Sequence, residues 1–254
     1  MPFELGEARA RELVGAWLRS RGFFRDPRLR SASIDDMRGV YVPAYLYAAV
    51  ARSDYAAEIG ENYTETETYS TKNEKGETVL RTRQVTKTEW RSLTGRRAGY
   101  VMDVLVTASR GLHNDELEQV EPFDLARLRR YEPALIAGWI AEEPTLARDA
   151  CWELARREAV GKIEQMLAAF LPGDSQRNLR HSTRLEHESL ALLHVPVWIL
   201  AARHDPERPP LRIVMNGQTG EIFGRAPLSI VRIVLVVLVV AATVALAIWL
   251  GGRR

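Results

Sequence analysis

An unbroken apolar run near the C-terminus constrains this chain more than any other feature of its sequence. No charged side chain occurs from Ile233 to Leu250, and the run reaches back to Ile230 with Arg232 as its only charge. A helix of about 20 residues spans roughly 30 Å, the thickness of the hydrocarbon core of a bilayer, whereas a helix packed in a protein core is seldom apolar on every face. The sequence therefore predicts a transmembrane helix over 230–250.

The residues at the two ends of this run predict how the helix is anchored. At one end Arg232, beside Ile233, would extend its charge to the lipid headgroups, and at the other Trp249, beside Leu250, suits the opposite interface. Arginines flank both ends, so the positive-inside rule does not set the orientation. Because the N-terminus does not have the pattern of a secretory signal, we expect a tail-anchored, single-pass protein of the plasma (inner) membrane with its N-terminal domain in the cytoplasm.

The rest of the chain alternates between strand and helix patterns. Residues 1–25 predict an amphipathic helix, because the apolar side chains of Leu13, Val14, Trp17 and Leu18 would lie on one side of it. Strand patterns occur both before and after a helical stretch over 112–172. We therefore predict an α+β domain over 38–226, with an antiparallel sheet built from strands on both sides of a helical insertion. The strands before the insertion are expected near 40–52, 55–71, 77–92 and 99–111.

Two octapeptides in the strand segments are similar to each other. Val42–Ala49 (VPAYLYAA) and Val195–Ala202 (VPVWILAA) align without gaps and share the valine, the proline and both alanines. A duplicated strand unit would explain the similarity. Two independent half-buried strands would explain it equally, because the beginning of a strand is a position that tolerates proline. The sequence leaves both explanations open.

Composition and motifs exclude several kinds of chemistry. The net charge of +2 lacks the basic excess of a nucleic-acid-binding protein, and a single cysteine excludes a disulfide framework or a cysteine-rich zinc site within this chain. No phosphate-binding loop, nucleophile elbow, H-E-x-x-H motif or dinucleotide fingerprint is present. His181 and His187 are spaced too far apart to share a metal without a bend. We therefore predict no metal site and no cofactor, and an inert core thiol at Cys151.

Three carboxylates are the candidates for acid–base chemistry. Asp103 interrupts an apolar strand, where a carboxylate is costly to bury unless it is paired. Glu65 and Glu67 lie in the stretch NYTETETYS, at the spacing that puts two side chains on one face of a strand. Asp103 with Glu65 or Glu67 would form an acidic site, and Asp103 is the weak catalytic candidate of this sequence.

Basic and aromatic residues predict a contact surface on the following strand. Arg81, Arg83, Lys87 and Trp90 would meet nucleic acid or anionic lipid headgroups, but glutamates on the neighbouring strand argue against a continuous basic patch. If Glu74–Gly76 forms a three-residue hairpin loop, then Glu67 lies opposite Arg83, Tyr69 opposite Arg81 and Tyr63 opposite Lys87. These pairings favour the interpretation that the stretch is a solvated hairpin with a contact role. They argue against a carboxylate site.

Three stretches, in this order, carry a family resemblance: VYVPAYLYAA, EPFDLARLRRYEPALIAGWIAEEP and VMNGQTGEIFG. They resemble an uncharacterised group of bacterial, membrane-associated proteins that usually carry an N-terminal zinc ribbon and are labelled primosomal-protein-N-prime-like or transcription-factor-IIB-type zinc-ribbon proteins. The resemblance covers roughly Val40 to Pro227 and implies a β-rich domain with a helical insert. The paired cysteines of the ribbon are missing here, so zinc does not carry over. The helicase label has no support either, because the nucleotide-binding loop is absent.

Two classes of function follow from the sequence. The first is a membrane-tethered, non-enzymatic binding or scaffolding protein with an unknown protein partner and a bilayer contact through 230–250. The second is a membrane-anchored enzyme with an acidic site near Asp103, and a module that contacts an anionic lipid surface is a further alternative. Ala241 and Ala245 have the small-xxx-small spacing that lets two helices approach, which allows a homodimer. Nucleic acid is not a favoured partner.

Overall fold

The computed structural model describes residues 1–72 and 78–251, and of residues 246, 247, 250 and 251 it describes the backbone alone. The described strands form one sheet in the order β2–β1–β4–β5–β6, with β3 beside β1. The strands are β1 (Ser33–Lys72), β2 (Thr78–Thr107), β3 (Ile140–Ala141), β4 (Ser175–Arg203), β5 (Leu211–Asn216) and β6 (Ile222–Gly224). The helices are α1 (Glu7–Arg19), α2 (Asn114–Glu118), α3 (Pro133–Ile136), α4 (Arg148–Phe170) and α5 (Ile230–Gly251), with short 3₁₀ turns at Pro27–Ser31 and Leu125–Arg127.

The sheet takes strands from both sides of the helical segments, and its strands are longer than the sequence predicts. The separate strands expected near 40–52 and 55–71 are one strand, β1. The polar residues between them keep the alternation of a strand, since Ser53 is buried while Arg52 and Asp54 are exposed. The pairs β4–β5 and β5–β6 are antiparallel, and the short β3 runs parallel to β1.

The chain divides into two compact units. The first comprises Met1–Tyr45, Val106–Arg148 and Leu192–Arg254, and the second comprises Leu46–Leu105 and Asp149–Ala191. The division predicted from the sequence, with a helix over 1–25, a domain over 38–226 and an insertion over 112–172, stays a prediction.

In the first unit, α1 covers the sheet. Ala10, Val14 and Leu18 repeat every four residues, which places them on one face of the helix, and all three are buried. They belong to a core cluster whose strand members include Trp198, Leu200, Ile213 and Met215. The N-terminal segment adds Phe3, which stacks on Trp139 with ring centroids 4.1 Å apart.

In the second unit, α4 covers the sheet with a narrow apolar stripe. Its buried residues repeat every four positions: Cys151, Ala155, Ala159, Ile163 and Leu167. The small side chains bring the helix close to the strands, where Tyr47 packs edge-on against Trp152 and Tyr55 against Phe170.

Within this unit, β4 changes the faces of its side chains at His187. This residue has a positive φ of 53°, a backbone conformation that L-residues adopt in bulges and turns. As a result Glu188 bonds to Tyr47 on the face that α4 covers, whereas Glu186 bonds to Arg52 on the opposite face. Asn178 has a similar φ of 57° near the start of the strand.

The C-terminal helix α5 has 22 residues, and its described side chains are mostly exposed. Crossing a bilayer takes about 20 consecutive, predominantly apolar residues in one helix. Among the residues that the structure describes, no helix combines the length and the apolar character that such a crossing requires. The predicted transmembrane helix over 230–250 is therefore wrong by this finding, and so are the single-pass, tail-anchored topology and the inner-membrane location.

The individual anchor residues are corrected in the same way. Arg232 does not extend along the helix as a headgroup contact: it donates a hydrogen bond of 2.9 Å to the Phe23 carbonyl oxygen and lies over the Phe23 ring. Ile233 is half-buried and Trp249 is exposed, while the side chain of Leu250 lies outside the described residues.

Candidate functional site

A two-stranded ribbon in the second unit holds the contact residues predicted from the sequence. β4 begins at Ser175, level with Gly60 of β1, where a Cβ added to the glycine would lie 2.5 Å from the Ser175 hydroxyl. Beyond this level β1 has only β2 as a neighbour among the described strands. We call residues 62–72 and 78–88 the ribbon. The predicted loop at Glu74–Gly76 lies outside the described residues.

One face of the ribbon carries the charged side chains, and these pair across the strands. Arg83 donates to Glu67 at 3.0 Å, and the Lys87 ammonium lies 2.7 Å from Glu65 and 3.2 Å from Glu67. The predicted opposition of Glu67 and Arg83 is thus present. Arg83, followed by Lys87, holds the pKa of Glu67 below its usual range, and Glu65, followed by Glu67, raises the pKa of Lys87. Both glutamates therefore act as counter-charges of a solvated hairpin, and the exposure of these pairs keeps their contribution to stability small.

Arg81 differs from the other basic residues of this face. It is exposed, and it forms no ion pair with any residue that the structure describes. The nearby Tyr69 ring instead lies 5.5 Å beneath the Arg83 guanidinium. Arg81 is therefore a cation on the ribbon without a described counter-charge.

Apart from Lys72 at the end of β1, the opposite face of the ribbon carries no charged side chain. Thr88 donates to the Asn62 side-chain oxygen at 2.7 Å, which fixes this face as the even-numbered one. Most of its side chains are hydroxyls: Thr64, Thr66, Thr68 and Ser70 on β1, and Thr78, Thr82, Thr86 and Thr88 on β2. Leu80 stands among them with 75% of its surface exposed. The ribbon thus separates its charges from its hydroxyls on two faces.

Trp90 does not join the charged face. It packs below the ribbon, where the Arg177 guanidinium lies 4.0 Å from its ring centroid and Arg177 also donates to Glu58 at 2.6 Å. The predicted set of Arg81, Arg83, Lys87 and Trp90 is therefore divided: three cations share one face of the ribbon, and the tryptophan belongs to the opposite face at its base.

Asp103 does not assemble an acidic site with Glu65 or Glu67. It lies 16 residues along β2 from Lys87, about 50 Å at roughly 3.3 Å per residue, and its side chain is 62% exposed. Its carboxylate pairs with the Lys162 ammonium at 2.9 Å. Asp103 was a candidate because it interrupts an apolar strand. This exposed ion pair with α4 explains why a carboxylate is tolerated there.

Neither the histidines nor the cysteine forms a metal site in the described part of the chain. No group of three or more histidine, cysteine, aspartate or glutamate side chains is placed to hold a metal ion there. His181 bonds to Thr183 at 2.9 Å. Cys151 is buried in the stripe of α4, and burial raises the pKa of its thiol.

A cleft in the first unit was missed by the sequence analysis. It has a volume of about 410 Å³ and is lined by charged and aromatic side chains that include His113, His204, Arg212 and Phe223. His113 and His204 are 91 positions apart in the chain, and no spacing rule connects them. The only sequence feature that could have indicated the cleft is the cluster of arginines and prolines from Arg208 to Arg212, which lines it.

Comparisons with known proteins find a distant relative of uncharacterized function. The chain is 24% identical over 237 residues to the uncharacterized protein YdjG of Bacillus subtilis (strain 168), a similarity that covers 90% of this chain. The chain spans 63% of the length of that relative. No family model and no solved structure matches the chain. The zinc-ribbon resemblance stays a prediction.

Proposed function

We propose that this protein is a non-enzymatic binding module, and that the β2 edge of the ribbon takes up an extended, acidic segment of a partner protein as an added strand. One observation supports the proposal above all: the ribbon combines a free strand edge with cations that already bind alternating glutamates on the other side of the same strand.

The free edge follows from the strand order. β2 is the terminal strand, so over the ribbon its outer backbone N–H and C=O groups face no described strand. Such an edge is a template for β-strand addition, in which the main chain supplies hydrogen bonds and side-chain pockets supply specificity. No proline interrupts residues 78–88, so nothing in the sequence removes a backbone donor from this edge.

The charges define the chemistry of the added strand. Within the chain, β1 presents Thr64–Glu65–Thr66–Glu67 to β2, and its glutamates bind Lys87 and Arg83. The basic side chains stand on the face of β2 and are reachable from its outer edge as well, since Arg83 is 62% exposed and Arg81 has no described counter-charge. A partner strand that alternates acidic and β-branched residues would place its carboxylates beside the same cations and its threonines or valines beside the threonine-rich face.

The chain itself provides the probe for a test. A fluorescent peptide with the sequence of residues 62–70 should bind the protein saturably, and the binding should weaken with added salt because the paired charges are exposed. The peptide in which both glutamates are replaced by glutamine should bind at least about tenfold more weakly, about 1.4 kcal/mol. Fluorescence anisotropy measures both affinities.

Two variants separate the ribbon from general charge effects. Arg81→Glu should weaken binding of the acidic peptide at least about tenfold, since it reverses the charge of a cation that has no counter-charge among the described residues. Arg96→Glu is the matched control: Arg96 lies on β2 beyond the ribbon, is 88% exposed and pairs with Asp54. Equal losses in both variants, equal affinity for the neutral peptide, or binding to anionic vesicles without binding to the peptide would each contradict the proposal.

A further inference from the structure

The cleft in the first unit brings together polar side chains whose hydrogen-bonding capacity is only partly used by described residues. Its volume of about 410 Å³ falls within the range of roughly 300–1,000 Å³ that small-molecule sites occupy. Its apolar part is formed by Pro209, Pro210, Leu211 and Phe223. Its polar part is formed by two histidines, three arginines and one glutamate.

His204 is the least satisfied polar side chain of this cleft. Both of its ring nitrogens are buried, and neither has a hydrogen-bond partner among the described residues. The nearby carboxylates of Asp26 and Asp205 do not serve it, because Arg28 binds both of them at 2.7 Å. A buried polar group without a partner is destabilising, so an orphaned imidazole is expected where a ligand supplies the missing bond.

The three arginines of the cleft retain unused donors. Arg212 donates Nε to Glu116 at 3.2 Å and Nη2 to the Gly111 carbonyl oxygen. Arg225 donates one Nη to Asp115, and Nε of Arg208 lies 3.4 Å from Asp205. Each guanidinium carries five N–H groups in a planar fork, so these bonds to described residues leave donors on all three for an anion.

We propose that this cleft binds a small phosphate monoester whose organic part is apolar or aromatic. The phosphate, with a charge of about −1.5 to −2 at pH 7, would accept hydrogen bonds from the arginines and from the imidazole of His204. The organic group would lie against Phe223 and Leu211. The cleft belongs to the first unit and the ribbon to the second, and the two would bind ligands of different chemistry, so this test does not depend on the proposed function.

Phenyl phosphate is the probe for this site. Isothermal titration calorimetry should show saturable 1:1 binding with a Kd below about 1 mM. His204→Phe keeps the ring volume and removes both nitrogens, and it should raise the Kd at least about tenfold. Arg212→Gln should do the same. Arg127→Gln is the matched control, since Arg127 is an exposed arginine of the same unit that pairs with Glu4, and it should change the Kd less than about twofold.

Inorganic phosphate and the wild-type protein complete the test. Inorganic phosphate should bind more weakly than phenyl phosphate, and equal affinity would refute the apolar part of the site. If His204→Phe does not fold, ¹⁵N NMR of the imidazole nitrogens in the wild-type protein still decides. The ring signals of His204 should shift as phenyl phosphate is added. The absence of saturable binding, an unchanged Kd in folded His204→Phe, or unshifted ring signals would overturn the proposal.

Discussion

Removing the Arg28 side chain should destabilise the first unit through two buried carboxylates. Arg28 donates Nε and Nη2 to Asp26 at 3.1 and 2.7 Å, and Nη1 to Asp205 at 2.7 Å. Only 8% of Asp26 and 7% of Asp205 is exposed. Arg28→Met keeps the aliphatic stem but removes the guanidinium that binds Asp26, and it leaves Asp205 with the longer contact to Arg208.

The magnitude follows from the pKa of Asp26. The hydrogen bond from Arg28 is the largest cause that lowers this pKa from 3.8 to about 2. A difference of nearly two pKa units corresponds to roughly 2 kcal/mol, and the loss of the Asp205 contact adds to it. Because Arg28 is half exposed, which weakens both ion pairs, we expect Arg28→Met to lower the free energy of unfolding at pH 7 by about 2 kcal/mol.

The pH dependence gives the same prediction a second test. Asp26 has a lowered pKa in the folded state, so its contribution is complete above the unfolded pKa of about 3.8 and is lost as pH falls towards about 2. Roughly half of it should remain at pH 3. Urea titrations followed by tryptophan fluorescence, at pH 7, 4 and 3, measure the difference between variant and wild type.

A matched variant defines what would refute this reasoning. Arg208→Met removes a more exposed guanidinium whose Nε lies 3.4 Å from Asp205, and it should cost less than about 1 kcal/mol. A cost below about 1 kcal/mol for Arg28→Met at pH 7, or a cost that does not shrink between pH 4 and pH 3, would show that the buried carboxylates do not depend on Arg28.

Two further substitutions test the second unit. Tyr47→Phe removes a buried hydroxyl that donates to Glu188 at 2.7 Å, and it should lower the free energy of unfolding in urea by about 1–2 kcal/mol. The control Tyr63→Phe, at an exposed position, should change it by less than about 0.5 kcal/mol, and equal effects would mean that the buried hydroxyl bond contributes nothing. Gly161→Ala should raise the thermal midpoint by an amount equivalent to up to about 1 kcal/mol, because the position is helical and an added Cβ meets nothing within 4 Å, and a lowered midpoint would show that the helix surface is not free there.

The sequence predicted local pairing well, because pairing depends on residues close in the chain. Counting back from a three-residue loop at Glu74–Gly76 placed Glu67 opposite Arg83, and the ion pair between them is present. The same reliance on neighbouring residues wrongly divided β1 into two strands at Arg52–Asp54. Three consecutive polar residues are typical of a turn, and the sequence does not show that Ser53 is buried.

The periodicity of the sequence does not predict features that depend on residues far apart in the chain. The cleft unites His113 with His204 through the packing of β5, β6 and α2, and neither residue stands out within its own segment. Asp103 was singled out for the opposite reason: its strand is apolar in sequence, but its side chain points to solvent and Lys162. A carboxylate in an apolar segment signals a site only where the fold buries it.

The bulge at His187 makes β4 intolerant of changes in length. Between Asn178 and His187 the odd-numbered side chains of β4 face α4, and directly after His187 the even-numbered Glu188 does. Deleting one residue on either side of His187 would disturb this arrangement. One half would then turn its outward side chains towards α4, and either Glu186 or Glu188 would lose its partner. Glycine or asparagine should replace His187 without harm, because both adopt positive φ readily. Among homologues of this protein, we expect the position to vary in residue type and to remain free of insertions and deletions.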